Sequence, residues 1–258
     1  MNETIRLLLN RRSVRAYQDR PVPREVTDLI IQCAMRAPTA GAMMLYAIIE
    51  IEDQALKDKL AVSCDHQPFI AKAPLVLLFL ADYQRWFDLY IASGVAAMCA
   101  TQGHPMRAPG EGDLVLACCD ALIAAQNAVV AAEALGLGSC YIGDILENYE
   151  YHRELLNLPQ HAFPVTMVCF GYPTQAAAER KLVPRLPQAC VHHKNGYQRL
   201  EASAFEDMFP AELRPPRHEP GAANLGQHSY VRKFAADFSL EMTRSVRAAI
   251  RAWVGDQA

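Results

Sequence analysis

What this chain of 258 residues lacks narrows its chemistry first. None of its eight cysteines form a C-x-x-C pair, so Cys33, Cys64, Cys99, Cys118, Cys119, Cys140, Cys169 and Cys190 read as free thiols within apolar runs rather than as a redox or zinc motif. There is no G-x-S-x-G turn to expose a nucleophilic serine. No G-x-G-x-x-G follows a strand, so a nicotinamide is not expected to be held by a Rossmann unit. Charge of one sign is scarce: 25 Lys and Arg against 28 Asp and Glu leave a formal net charge of −3, too little for a global field toward nucleic acid or an anionic membrane. The opening Met1-Asn2-Glu3-Thr4 has no basic stretch leading into an apolar one; with the thiol pattern, this sets the expected compartment as a reducing cytoplasm. The longest apolar run, 115–132, is interrupted by Asp120, Gln126 and Asn127, which are costly in lipid, so a helix buried in protein is expected and no membrane span. His192 and His193 are adjacent and would diverge, and His104, His152, His161 and His218 share no ligand spacing, so no metal is expected.

What is present is ample core material. Hydrophobic residues make up 52% and charged residues 21% of the chain, as expected for one large folded domain carrying an excursion. Periodicity predicts helices over Thr4–Asn10, from Pro23 to before Pro38, and over Gln54–Ser63. Strands are predicted over Leu45–Glu52, Pro74–Ala81, Ser139–Ile142 and Phe163–Gly171, with a helix over Glu147–Asn157 between the last two. Residues 83–112, broken by Gly94, Gly103, Pro105, Pro109, Gly110 and Gly112, read as a loop-rich excursion with one short helix. A long helix capped by Asp113 runs to Leu135 and is stopped by Gly136 and Gly138. Its apolar residues cover almost the whole circumference, which calls for cover on several sides, by a large core or by a second subunit. Residues 214–226 read as an exposed Pro/Gly-rich arm, followed by a helix capped by Ser239 with Leu240, Val246, Ile250, Trp253 and Val254 on one stripe. The organisation expected is a domain over 1–200 and a C-terminal extension over 201–258 that packs on the body or on a partner.

The densest cationic feature is Arg11-Arg12-Ser13-x-Arg15. Several guanidinium forks and a hydroxyl in one short loop suit a dianionic phosphate, although such a cluster by itself is as readily a solvated basic surface. It does not stand by itself. Arg12-Ser13-Val14-Arg15-Ala16-Tyr17 with Pro21-Val22, then Ala37-Pro38-Thr39-Ala40-Gly41-Ala42, then Gly136-Leu137-Gly138-Ser139-Cys140-Tyr141-Ile142-Gly143, then Cys169-Phe170-Gly171-Tyr172-Pro173 with Pro184-Arg185-Leu186-Pro187, occur in the order of the nitroreductase superfamily. The chain resembles its NADPH-dependent flavin reductase and oxygen-insensitive nitroreductase branch over residues 4 to 200.

The resemblance implies an α+β, three-layer fold with a central mixed, mainly antiparallel sheet flanked by helices. It implies a long helix at a homodimer interface and FMN bound where the subunits meet. Arg11, Arg12, Ser13 and Arg185 would hold the phosphate and ribityl chain, and Arg15 the N1–O2 edge of the ring, where a fixed guanidinium stabilises the charge left by two-electron reduction. Thr39, Gly41 and Gln67 would come from the other subunit, and Tyr141, Ile142 and Gly143 would line the ring near N5. The implied activity is ping-pong transfer of hydride from NAD(P)H to a small-molecule oxidant such as a nitroaromatic, a quinone or a flavin. The alternatives are a dedicated flavin reductase, a specialised ene-reductase or dehalogenase, and a non-catalytic flavin-binding protein. Three positions depart from the family pattern. Val183 replaces a lysine, with Lys181 two residues upstream as its substitute; Asp144 replaces a glycine; and Met44 stands where a polar residue is common.

Overall fold

The computed structural model describes residues 1–209 and 219–255. Contacts divide the chain into two compact units, one of residues 1–179 with 241–258 and the other of 180–240. The first begins with α1 (Glu3–Asn10) and α2 (Arg24–Met35), followed by β1 (Tyr46–Glu50), α3 (Gln54–Ser63), α4 (Pro68–Lys72) and β2 (Leu75–Asp82). It continues through α5 (Gln84–Ala92), α6 (Val95–Thr101), α7 (Glu111–Ala134), β3 (Gly138–Ile142), α8 (Tyr149–Leu155), β4 (Ala162–Gly171) and α9 (Gln175–Ala178). The second unit carries the short helices α10 (Ala204–Asp207) and α11 (Leu225–Ser229) and the start of α12 (Asp237–Val254).

The four strands form one sheet in the order β1-β2-β4-β3, every neighbouring pair antiparallel. The two inner strands are buried along their whole length, which is why they read as unbroken apolar runs rather than as alternating ones. Pro164 has no N–H for the ladder, and the register shifts at Phe79/Leu80, opposite it. Alternate side chains feed two cores. Leu77, Phe79, Val168 and Phe170 face the layer of α2, α7 and α12, while Val76, Leu78, Met167 and Cys169 face that of α3 and α4. The sheet between two helical layers is the α+β architecture expected.

Four local expectations are corrected. The excursion holds two helices, α5 and α6, joined at Gly94, which adopts φ 72°. Leu89, Ile91 and Met98 on them are exposed, so no clean buried face marks either helix in the sequence. The N-cap of α7 is Gly110 rather than Asp113; the Asp113 carboxylate reaches back to accept from the Gly110 N–H at 2.8 Å. Gly136 alone stops α7: with φ 81°, it donates to the Glu133 carbonyl while Leu137 donates to that of Ala132, a Schellman closure. Likewise α12 starts at Asp237, which puts Ser239 inside its first turn. Of the arm expected over 214–226, residues 214–218 lie outside the described residues, and α11 begins at Leu225.

Among the described helices, α7 is long and apolar enough to cross a membrane by length and composition. Its inner face, including Ala117, Ala121, Ala124, Ala128 and Ala132, is core. Its outer face is not. Val115 (63% exposed), Leu116, Cys119, Leu122 and Ile123 form an apolar stripe open to solvent.

Candidate functional site

The cationic segment is held in place by its backbone. The Val14 N–H donates to the Ser139 carbonyl at 2.8 Å, and Ser13 pairs with Ser139 in a parallel bridge, so the segment runs as a short extra strand beside β3. Further along, Tyr17 pairs with Pro173, the Gln18 N–H donates to the Tyr172 carbonyl and the Thr174 N–H to that of Ala16. Two glycines permit this approach. A Cβ on Gly138 would sit 2.7 Å from the Cβ of Val14, and one on Gly171 would lie 2.8 Å from the Tyr17 ring. The Tyr17 hydroxyl donates to the carbonyls of Val14 (2.8 Å) and Cys169 (3.2 Å), and burial holds its pKa far above the phenol range.

This segment carries four of the motif residues. Arg11, Arg12 and Ser13 are half-buried and Arg15 is exposed. The Arg12 guanidinium donates to the Ala178 carbonyl at 2.6 Å, which fixes its direction. Arg11 and Arg12 lie close enough to the Glu133 carboxyl to favour its ionised form, although burial wins and raises that acid; the buried Ser139 hydroxyl donates to it at 3.3 Å. The Arg15 guanidinium stands 5.8 Å from the centroid of Phe69 on α4.

The third motif continues along β3 into the turn after it. Tyr141 is half-buried, with its hydroxyl donating to Gln126 of α7 at 3.2 Å; Ile142 is buried and Gly143 exposed. Asp144 opens a 3-10 turn, Asp144–Leu146, and accepts from the Gln67 side-chain amide at 2.7 Å. Gln67 also donates to the Cys64 carbonyl. The structure thus brings Gln67 to the 141–144 turn of its own chain. Burial raises the Cys140 thiol, and Arg15, Arg11 and Asp144 act on it as well, so the cationic and acidic walls meet around one strand residue. Gathered near Cys140 are thus the guanidinium groups of Arg11 and Arg15 and the Asp144 carboxylate, with Ser13 bridged to Ser139 and Tyr141 next along β3. Such a donor set fits a long, flat, phosphorylated ligand.

Thr39 and Gly41 lie elsewhere. The Thr39 hydroxyl and Asp120 of α7 form a short hydrogen bond, and the same carboxylate accepts from the N–H groups of Ala40 (3.0 Å) and Leu45 (3.1 Å). The Thr39 hydroxyl accepts from Met44 at 2.8 Å. Gly41, Ala42 and Met44 all have positive φ, near 50–60°, a conformation that the surrounding hydrogen bonds must enforce in the two non-glycines. This loop borders a recess of about 680 Å³ lined by Met43, Met44, Trp86 and Leu89. Since Asp120 anchors the loop and Glu133 faces the arginines, the two regions stand about 20 Å apart along α7 at the helical rise. Lys181 and Arg185 belong to the second unit, both exposed, with the Arg185 guanidinium donating to the Val183 carbonyl.

Sequence reasoning missed Asp120, Glu133, Phe69 and Glu147 as parts of this framework. Only Asp120 left a signal, as a carboxylate in the middle of an apolar helix.

Comparison with known proteins agrees with the motifs. The model of the nitroreductase family matches residues 8–172. The FMN reductase (NADPH) of Bacillus subtilis (strain 168) is 32% identical over 197 residues, 76% of this chain and 75% of that protein. The oxygen-insensitive NADPH nitroreductase of Salmonella typhimurium is 36% identical, covering 78% and 77%. Among solved structures, the NADPH:FMN oxidoreductase of Vibrio harveyi complexed with NAD+ superposes with a TM-score of 0.79 at 25% identity, over 96% of this chain and 98% of that one.

Proposed function

Because the chain belongs to the nitroreductase family, we propose that it is an FMN-dependent NAD(P)H oxidoreductase that acts as a homodimer and reduces small-molecule oxidants such as nitroaromatics, quinones or flavins. The observation that carries this reading is the segment bearing Arg11, Arg12, Ser13 and Arg15, locked against β3. When bound, FMN supplies a ring that accepts hydride from NAD(P)H and passes it to an oxidant. The protein binds and orients. Arg11, Arg12 and Ser13 receive the phosphate; Tyr141, Ile142 and Gly143 line the ring; and Arg15 stabilises negative charge at the ring edge, while Lys181 and Arg185, which the family pattern gives to the phosphate, lie in the second unit. Gln67 is assigned to the cleft of its own chain because it meets Asp144 there. Relatives with FMN and NADPH in their names support the cofactor and the reductant.

Two features support the dimer. The apolar stripe of α7 is left exposed by the described residues. Thr39 and Gly41, held some 20 Å along α7 from the arginines, suit the site of a second subunit rather than their own.

The test is the absorption spectrum of the purified protein with anaerobic titration by NADPH and by NADH. A bound flavin bleached by at least one nicotinamide is expected; colourless protein that also refuses added FMN overturns the reading. Arg15→Ala should weaken FMN binding and make the two-electron potential more negative. An unshifted potential in a variant that still binds FMN removes Arg15 from its role.

A further inference from the structure

The loop that follows Thr39 is strained, and helix α5 holds the strain. Ala42 and Met44 lie in the left-handed region at φ 58° and 51°, where a residue with a Cβ stays only if its surroundings enforce it. The Trp86 indole N–H donates to the Met43 carbonyl at 2.7 Å, and the Arg85 guanidinium donates to the carbonyls of Met44 (2.6 Å) and Tyr46 (3.0 Å). From inside the loop, the Met44 N–H donates to the Thr39 hydroxyl. Strain enforced in this way is typical of segments that must present particular side chains. Here the side chains presented are Met43 and Met44, which with Trp86 and Leu89 line the recess of about 680 Å³.

The lining decides what fits. A recess of that volume has room for a fused-ring molecule. Two thioethers and an indole favour a flat aromatic guest, because sulfur packs at a ring edge and an indole offers its face. The charged groups nearby are turned to other partners: Arg85 to the two carbonyls and to Asp82 at 3.7 Å, and Asp88 to the Gln84 amide at 2.8 Å. Arg85 and Asp88 also carry opposite signs, so the recess attracts neither anions nor cations as a class, and a neutral guest loses least on leaving water. Ala42 lines the recess as well, which makes it continuous with Thr39 and Gly41, the residues assigned above to the flavin site of a second subunit.

We propose that this recess is the subsite for the oxidant, that it takes neutral fused-ring aromatic oxidants such as naphthoquinones in preference to single-ring ones, and that Met44 is its specificity-determining residue. Trp86 is a wall of the subsite and, through its bond to Met43, the residue that positions the loop. This rests on the flavin reading above, since the recess serves an oxidant only if Thr39 and Gly41 border a flavin.

The experiment uses the oxidised holoprotein, in which a quinone can bind but has no hydride to take. 2-Methyl-1,4-naphthoquinone is added and tryptophan emission is followed; the chain has two tryptophans, Trp86 beside the recess and Trp253, which is 1% exposed. Saturable quenching is expected, and it should vanish in Trp86→Phe, whose emission comes from Trp253 alone. In turnover, Met44→Gln should lower the ratio of kcat/KM for the naphthoquinone to that for 1,4-benzoquinone about tenfold, chiefly through KM, and Met44→Leu should restore it. A ratio unchanged in Met44→Gln, or quenching that persists in Trp86→Phe, overturns this proposal and leaves the flavin reading standing. Trp86 emission that acrylamide fails to reach before any quinone is added shows that the partner subunit fills the recess, and overturns it too. Protein that binds no FMN overturns the functional reading, and this proposal with it.

Discussion

The segment Arg11–Tyr17 and the loop Thr39–Met44 are held in different ways. The first is pinned by main-chain hydrogen bonds to β3 and to the chain after β4, and its only special requirement is two glycines on the opposite side. Among the described residues no strand pairs with the second. One buried carboxylate, Asp120, accepts from Thr39, Ala40 and Leu45, and three successive kinks at positive φ depend on that anchor. Backbone pairing spreads the load over many modest bonds, whereas a carboxylate hub concentrates it on one side chain.

The comparison is most easily broken at the hub. Asp120→Ala leaves a hydroxyl and two N–H groups unpaired, so stability should fall by about 3–4 kcal/mol in urea titration. Hydrogen exchange of the Ala40 and Leu45 amides should quicken while that of Val14 does not. Equal quickening in both regions would show that the two are one cooperative unit. On the other side, Gly138→Ala pushes a methyl into Val14 and should destabilise by about 2–3 kcal/mol, with a quickened exchange of the Val14 amide that Asp120→Ala does not produce. A subtler probe of the hub is Thr39→Val, which removes one donor to Asp120 and one acceptor for Met44 and should weaken the fold by about 1–2 kcal/mol in thermal melts.

The smallest effect separates the two modes by pH. Glu147 belongs to the side-chain-held class, and its acid is raised from 4.5 to about 7. Between those values the native state holds a proton that the unfolded chain has released, so stability falls as pH rises through this window and levels off above it. Glu147→Gln should flatten that slope and be the more stable protein at pH 8 by on the order of 1 kcal/mol. Val14 and Ser139, joined only by backbone, should show no such dependence in their exchange rates. Acid sensitivity from His161 has the opposite sign. Its ring is buried between Phe87 and Trp253 and held neutral, so stability is lost as pH falls below its ordinary value, a loss that His161→Phe should remove.

Much of this molecule is legible in its residues. The runs of β2 and β4 announce buried strands, and α3 begins and ends where its pattern does. The arginine motif, the 141–143 turn and the long apolar helix identify the family and the kind of ligand, because local spacing records which groups are available. Less was written in the excursion: α5 and α6 turn apolar residues outward, so periodicity lacked the contrast that marks a helix packed on its own core. Gly138 was misread as a helix stop because its reason for being glycine, the Val14 side chain, lies more than a hundred residues away in the chain.

By itself the sequence determined most of the longer elements, the two-sided burial of β2 and the inventory of phosphate-suited donors, all of which depend on neighbours within a few residues. Tertiary structure alone decided that Asp120 anchors the Thr39 loop and that Gln67 meets Asp144. Those pairings depend on desolvation and on distances through space, and neither is carried by any one stretch of the chain.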